Sequence, residues 1–286
     1  LATDIAPEDA RPRVVAFLYV MLLVGMVVSS IILGWLLSEF SQLRLIQVVQ
    51  GAAAVTMILN VVALWKQEVR DPSRTRGRAA GAPGFMESWR ELAQSGPWTR
   101  VLISVGLGTA AFSMQDILLE PYGGEILHLS VGQTTALTGF LACGTLLGFV
   151  VASGALTSGF DPFRLAALGA VAGLFAFPAV ILSAHVESVQ LFRAGTMLIG
   201  FGSGLFSVGT LTAAMNMSTG ANNGLALGAW GAVQATAAGT AIALGGIIRD
   251  GVNALAASGQ LGEGLGGAAT GYTAVYHLEI ILLFAT

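Results

Sequence analysis

Eight long stretches of apolar residues alternate with short polar segments along the chain. A helix needs about 20 apolar residues to cross a bilayer, so we predict a membrane-spanning helix at each stretch. The in/out alternation of barrel strands is missing, and backbone polar groups in hydrocarbon must be satisfied within each segment, which favours helices. The predicted helices are Val14–Leu37, Leu45–Trp65, Trp98–Leu119, Thr134–Leu156, Phe163–Ala184, Val189–Met215, Gly224–Ile248 and Tyr272–Phe284.

The composition agrees with this pattern. Of 286 residues, 55% are hydrophobic and 10% charged, and the mean hydropathy is +0.77. Soluble domains carry about 25% charged residues. We therefore predict an all-α, polytopic membrane protein. The net charge of -3, with no basic stripe, argues against a nucleic-acid partner. Since the chain opens without an initiator methionine and ends inside an apolar run, we expect it to be part of a longer polypeptide.

One hydrophilic segment divides the chain. Residues 66–97 carry six of the 13 basic residues and separate a two-helix region, 1–65, from a six-helix bundle, 98–286. Within this linker, Arg70–Gly84 is rich in Arg, Pro and Gly and reads as flexible, whereas Phe85–Ala93 predicts a short amphipathic helix on the membrane surface. Its simplest role is to connect two bundles; docking to lipid head groups or to a partner is the alternative.

Basic residues are divided unevenly between the two sides of the predicted membrane. Ten of the 13 fall on one side, and Arg44, Arg193 and Arg249 fall on the other. The positive-inside rule then places the first residues and the 66–97 linker in the cytoplasm. The loops at Glu120–Gln133, His185–Ser188 and Arg249–Gly271 are expected to face outward.

Glycine is abundant, and many glycines fall at small-xxx-small spacing. In lipid this spacing lets helices approach closely, so helix packing is the simplest interpretation. Room for a bulky flat ligand, or for rocking of helices, is the alternative. The clearest pairs are Gly144/Gly148, Gly169/Gly173, Gly200/Gly204 and Gly224/Gly228.

The strongest candidate for a functional site is the stretch that ends the third predicted helix. Carboxylates at membrane depth are costly and usually functional. Asp116 and Glu120 are four residues apart, so we expect one shared helix face and either a shared proton or a cationic partner. Pro121 and Gly123-Gly124 are expected to end the helix, and solvated loop positions for Glu120 and Glu125 remain the plain alternative. The candidates here are Gln115, Asp116, Glu120, Tyr122 and Glu125.

Further polar candidates lie between and within the later helices. Asn216, Asn222 and Asn223 belong to a polar turn that is equally typical of helix capping. Gln234 lies in mid-membrane, where it either bonds between helices or lines a cavity.

Few other residues suggest a ligand, metal or catalytic site. His128 and His277 could each give an axial nitrogen to a magnesium porphyrin-type pigment, although a lone boundary histidine is the simpler interpretation. Metal-ligand spacing and catalytic motifs are missing, so we predict neither a metal site nor an enzyme.

Several segments resemble a known family. The order of two helices, a basic connector and six helices resembles the last eight of the twelve helices of the major facilitator superfamily. More specifically, the chain resembles the PucC and LhaA family of bacteriochlorophyll-delivery proteins of photosynthetic bacteria. Gln115–Glu125 is the most distinctive part of the likeness. The matching segments are Leu1–Val15, Arg44–Glu68, Gln115–Leu127, Leu198–Ser218 and Gly224–Asp250.

The resemblance implies a function. It implies an assembly factor for light-harvesting antenna complexes, in the bacterial inner (intracytoplasmic) membrane, that holds or delivers bacteriochlorophyll and contacts the antenna alpha and beta polypeptides. The reaction-centre core and bacteriochlorophyll synthase are further candidate partners. The alternative is a proton-coupled transporter that uses Asp116 or Glu120. Of the superfamily signature between its eighth and ninth helices only Gly159, Asp161 and Arg164 are present, which counts against transport.

Overall fold

The computed structural model describes part of residues 21–36, then 41–65, 84–94, 96–217 and 223–286. These residues form helices, turns and loops, so the all-α prediction is confirmed for them. The helices are α1 (Gln42–Leu64), α2 (Phe85–Gln94), α3 (Trp98–Ser113), α4 (Leu119–Glu125), α5 (Val131–Thr157), α6 (Pro162–His185), α7 (Val189–Met217), α8 (Asn223–Ala257) and α9 (Thr270–Ala285). Short 3₁₀ helices lie at Met114–Ile117 and Glu263–Leu265.

Six of these segments are long and apolar enough to cross a membrane. They are α1, α3 with its continuation to Glu125, α5, α6, α7 and α8, while α9 is a shorter apolar helix. The chain is therefore a multi-pass membrane protein. The first predicted helix, Val14–Leu37, lies largely outside the described residues.

The chain separates into two compact units, Leu1–Pro83 and Gly84–Thr286. In the first unit, α1 begins at Ser41, whose side chain accepts a hydrogen bond from the Arg44 amide, and none of its residues is buried. In the second unit, α2 lies where the amphipathic helix is predicted. Its Leu92 is buried against Trp98, Ala214 and Ala226, so part of the apolar face contacts protein rather than the membrane surface.

Helix starts in the second unit follow from local sequence. Ser130 and Gln133 form a capping box at the start of α5. Asp161 caps α6 by accepting from the Arg164 amide at 2.9 Å, with Pro162 in the first turn, where no amide donor is needed.

Two boundary predictions are wrong. The loop predicted at Arg249–Gly271 is shorter, because α8 continues to Ala257 through an alanine-rich sequence and only then reaches Gly259, whose φ of 74° suits glycine. Pro121 and Gly123-Gly124 do not end a helix, because α4 runs through them to Glu125. Pro121 lies in the first turn of α4, where its missing N–H costs no hydrogen bond.

Glycine pairs set how closely α5, α6 and α7 approach. A Cβ on Gly144 would meet the Met197 carbonyl, and one on Gly200 would meet the Leu141 carbonyl. A Cβ on Gly169 would lie 2.6 Å from the carbonyl oxygen of Gly202. These glycines serve helix packing, as the spacing predicts. Gly224 and Gly228 differ, since nothing lies within 4 Å of their Cβ positions.

Candidate functional site

A polar groove opens where α3, α5, α7 and α8 meet. Its volume is about 430 Å³, and aromatic and small residues line it beside the polar ones. Gln234 of α8 lines this groove. Of the two roles considered for it, bonding between helices and lining a cavity, its position favours the second. The polar lining consists of Thr109, Ser113, Gln115, Asp116, Ser203, Ser207 and Gln234.

A break in helix geometry positions Gln115 and Asp116. After Ser113 the chain tightens into the 3₁₀ helix Met114–Ile117. Gln115 is 2% exposed, and its Nε2 donates to the Phe112 carbonyl at 3.2 Å and to Asp116 Oδ1 at 2.6 Å. Its Oε1 is buried and has no hydrogen-bond partner in the part of the chain that the structure describes. The side chain of Asp116 is exposed and lines the groove.

That Asp116 and Glu120 share one helix face, with a shared proton or a cationic partner, stays a prediction. The 3₁₀ turn and Leu118 lie between them, so the helix geometry changes along this stretch. Asp116 accepts a hydrogen bond from Gln115, whereas Glu120 Oε1 accepts one from Thr138 Oγ1 at 2.8 Å. The two carboxylates therefore have different hydrogen-bond partners, and the bond to Glu120 joins α4 to α5.

Tyr122 lies at the centre of an aromatic cluster. Its side chain is 1% exposed and packs edge-on to Tyr272 and Tyr276, each at 5.4 Å between ring centroids. The Phe192 ring lies 5.6 Å away. The cluster ties α4 to α7 and α9, so the position of Tyr122 is explained by packing.

Glu125 belongs to a polar network at the same end of the bundle. Its Oε2 accepts a hydrogen bond from the Tyr272 hydroxyl at 2.7 Å. The Arg249 guanidinium lies 5.0 Å from the centroid of the Tyr272 ring and its Nε lies 3.1 Å from Asp250 Oδ1. Glu125 is thus paired, not merely solvated.

Neither described asparagine candidate lines the groove. Asn216 is exposed near the end of α7. Asn222 lies outside the described residues, and Asn223 is described only as the first residue of α8.

The two histidine candidates lie in different settings. His128 is exposed in a loop, with a φ of 53°. His277 is exposed on α9, and its Nδ1 lies 2.7 Å from the Thr273 carbonyl oxygen. A carbonyl only accepts, so Nδ1 is the donor, and in a neutral imidazole Nε2 would then carry the lone pair. In the part of the chain that the structure describes, no three His, Cys, Asp or Glu residues are grouped to hold a metal ion.

Sequence reasoning missed one buried acid. Glu279 of α9 is fully buried, and neither of its carboxylate oxygens has a hydrogen-bond partner among the described residues. The signal was present, because Glu279 is the lone charged residue of its predicted apolar stretch. Because that predicted stretch is short, its one charged residue does not stand out as a buried membrane carboxylate.

A second groove, of about 630 Å³, lies among α3, α8 and α9 and is almost wholly apolar. Ala232, Thr236 and Ala237 of α8 line one side of it, and Leu278 and Leu282 of α9 line another. His277 of α9 precedes Leu278 in the chain and is not among the residues that line this groove.

Comparison with known proteins places the chain in a family. The family model described as PUCC protein matches residues 1–286. A protein of Rhodobacter capsulatus described as an uncharacterized protein in the puhA-bchM intergenic region is 52% identical over the whole chain and 60% of its own length. Protein PucC of Rhodovulum sulfidophilum is 52% identical over 88% of the chain and 56% of its own length.

Protein PucC of Cereibacter sphaeroides is 46% identical over the whole chain and 61% of its own length. The chain thus spans about 60% of the length of the relatives it matches. No solved structure matches it. The family model and two of these relatives match the whole length of the chain, and the chain belongs to the PucC family.

Proposed function

We propose that this chain is part of an assembly factor for bacterial light-harvesting antenna complexes, which holds or delivers bacteriochlorophyll and contacts the antenna polypeptides. The observation that carries the proposal is the match to the PucC family along all 286 residues. Its place is the inner, intracytoplasmic membrane, with the 66–97 linker on the cytoplasmic side. Antenna alpha and beta polypeptides are its main partners, with the reaction-centre core and bacteriochlorophyll synthase as further ones.

The two grooves suit the chemistry of such a pigment. A tetrapyrrole macrocycle is flat and largely apolar, with a few carbonyl groups at its edge. Ala232, Ala237 and Leu278 provide an apolar wall free of charged groups. The neighbouring polar groove offers donors from Ser203, Ser207 and Gln234. Ligand sites commonly combine apolar walls with a few placed polar groups.

His277 is the residue best suited to hold a pigment magnesium. The contact with Thr273 fixes the ring and leaves Nε2 free to coordinate. The imidazole is exposed on the apolar helix α9, and Leu278 and Leu282 of the same helix line the apolar groove. Bound there, the pigment would supply light absorption, and His277 would set its orientation. On this proposal the protein is a scaffold and carrier, not an enzyme.

Complementation of a deletion strain tests the function. Removal of the gene from its photosynthetic host is expected to abolish one or more antenna absorption bands, while free bacteriochlorophyll continues to be made. The full-length gene should restore the bands. Normal antenna bands in the deletion strain, with no related gene remaining, would overturn the proposal.

Proton-coupled transport is the second candidate, and the polar groove is the observation that favours it. Asp116 and Gln234 face one accessible cavity within the helix bundle. This function predicts pH-dependent solute uptake into liposomes that Asp116→Asn abolishes. Normal antenna assembly by the Asp116→Asn protein, with no solute flux by the wild type, would remove it.

A further inference from the structure

A third groove, of about 540 Å³, lies where α3, α6, α7 and α9 meet. Its floor is buried and includes Ala166, Ala170 and Phe206. Its rims are apolar but exposed, since Phe163 of α6 is 46% exposed and Phe284 of α9 is 75% exposed. Exposed apolar side chains of a multi-pass membrane protein face lipid, so this groove opens to hydrocarbon.

The third groove follows α6 across half of a bilayer. Phe163 lies in the first turn of α6 and Leu174 lies three turns later, and both residues line the groove. The helix between them rises about 16 Å. Half of a hydrocarbon core is about 15 Å thick. Because α6 is a membrane-spanning segment, the groove has the length of an acyl chain in one leaflet.

A basic side chain lines the third groove at one membrane face. Arg100 is exposed in the first turn of α3, where that membrane-spanning segment begins. No described Asp or Glu lines the groove, and within the described residues the Arg100 guanidinium has no carboxylate partner. A guanidinium binds phosphate oxygens through its planar fork of N–H donors. The groove therefore joins an apolar trough to an anion-binding group.

We propose that the third groove binds an anionic phospholipid, with one acyl chain along α6 and the headgroup phosphate at Arg100. The length of the groove selects a chain of one leaflet, and the charge of Arg100 selects an anionic headgroup. The second groove, near Leu278 and Leu282, has no charged residue in its described lining and lacks this combination. The inference is independent of the proposed role in antenna assembly.

Native mass spectrometry of the full-length protein in mild detergent tests the proposal. Phosphatidylglycerol should bind about fivefold or more tightly than phosphatidylcholine with the same acyl chains, because the choline cation opposes Arg100. Arg100→Gln should lose this preference. Arg164→Gln is the matched control and should keep it, since Arg164 is also exposed in the first turn of its helix but does not line the groove. Equal binding of both lipids by the wild type, or the same preference in Arg100→Gln and Arg164→Gln, would overturn the proposal.

A second variant tests the acyl chain separately from the headgroup. Ala167 is exposed and lines the groove, so Ala167→Trp should fill it and weaken phosphatidylglycerol binding by about fivefold or more. Leu168→Trp, at an exposed position outside the groove, is the control and should bind as the wild type does. Unchanged binding in Ala167→Trp, or competition by inorganic phosphate alone, would show that no lipid chain occupies the groove. Displacement of the lipid by an equimolar amount of bacteriochlorophyll would overturn the proposal in favour of the pigment.

Discussion

The hydroxyl of Tyr272 donates to Glu125 Oε2 at 2.7 Å and joins two segments that are 147 residues apart in the chain. The same Tyr272 ring carries the Arg249 guanidinium on its face. A single tyrosine therefore holds α4, α8 and α9 together at one end of the bundle.

Loss of this hydrogen bond should lower stability. Tyr272→Phe keeps the ring and removes the hydroxyl, so we expect a cost of about 1–3 kcal/mol, as for a hydrogen bond to a charged group. Thermal unfolding of the full-length protein in detergent measures it. In the background of Glu125→Gln the same substitution should cost less, and equal costs in both backgrounds would show that the pair is not coupled.

The close approach of α5 and α7 should depend on Gly144. Gly144→Ala places a methyl group against the Met197 carbonyl, so the helices must move apart at a cost of about 1–3 kcal/mol. Gly154→Ala is the matched control on the same helix, because nothing lies within 4 Å of its Cβ position. Thermal unfolding should separate the two variants, and equal melting temperatures would contradict the packing.

Pigment ligation should depend on His277. His277→Phe removes the free Nε2 and keeps an apolar ring, so the bacteriochlorophyll that co-purifies with the full-length protein should fall by about tenfold or more, equivalent to about 1.4 kcal/mol of binding. His185→Phe is a matched control, since His185 also bonds to a carbonyl oxygen one turn earlier in its helix. An equal pigment loss in both variants would argue against a specific role for His277.

In the second unit, most of the helices can be predicted from the sequence, but one break within them cannot. Apolar length alone locates α3 and α5 to α9, because the membrane demands continuous helical hydrogen bonding over each stretch. Capping residues such as Ser130 and Asp161 explain where helices begin. The break at Met114–Ile117 is not visible in this way, since its residues are ordinary helix formers and tertiary packing, including Gly245 against Met114, accompanies it.

The candidate site was only partly predictable for the same reason. The cost of a carboxylate at membrane depth predicts Gln115 and Asp116 as candidates, and the structure places Gln234, a separate candidate more than 100 residues later, in the same groove. The 3₁₀ turn before Glu120 could not be predicted, because the spacing rule assumes an unbroken helix. Glu279 was overlooked, since sequence gives its charge but not its lack of partners.

The pigment content of the full-length protein, purified from its photosynthetic host in mild detergent, tests the central claim most directly. Absorption spectra and solvent extraction should show bacteriochlorophyll bound in a fixed ratio to wild-type protein. A pigment-free preparation from cells that still assemble their antenna normally would contradict pigment delivery.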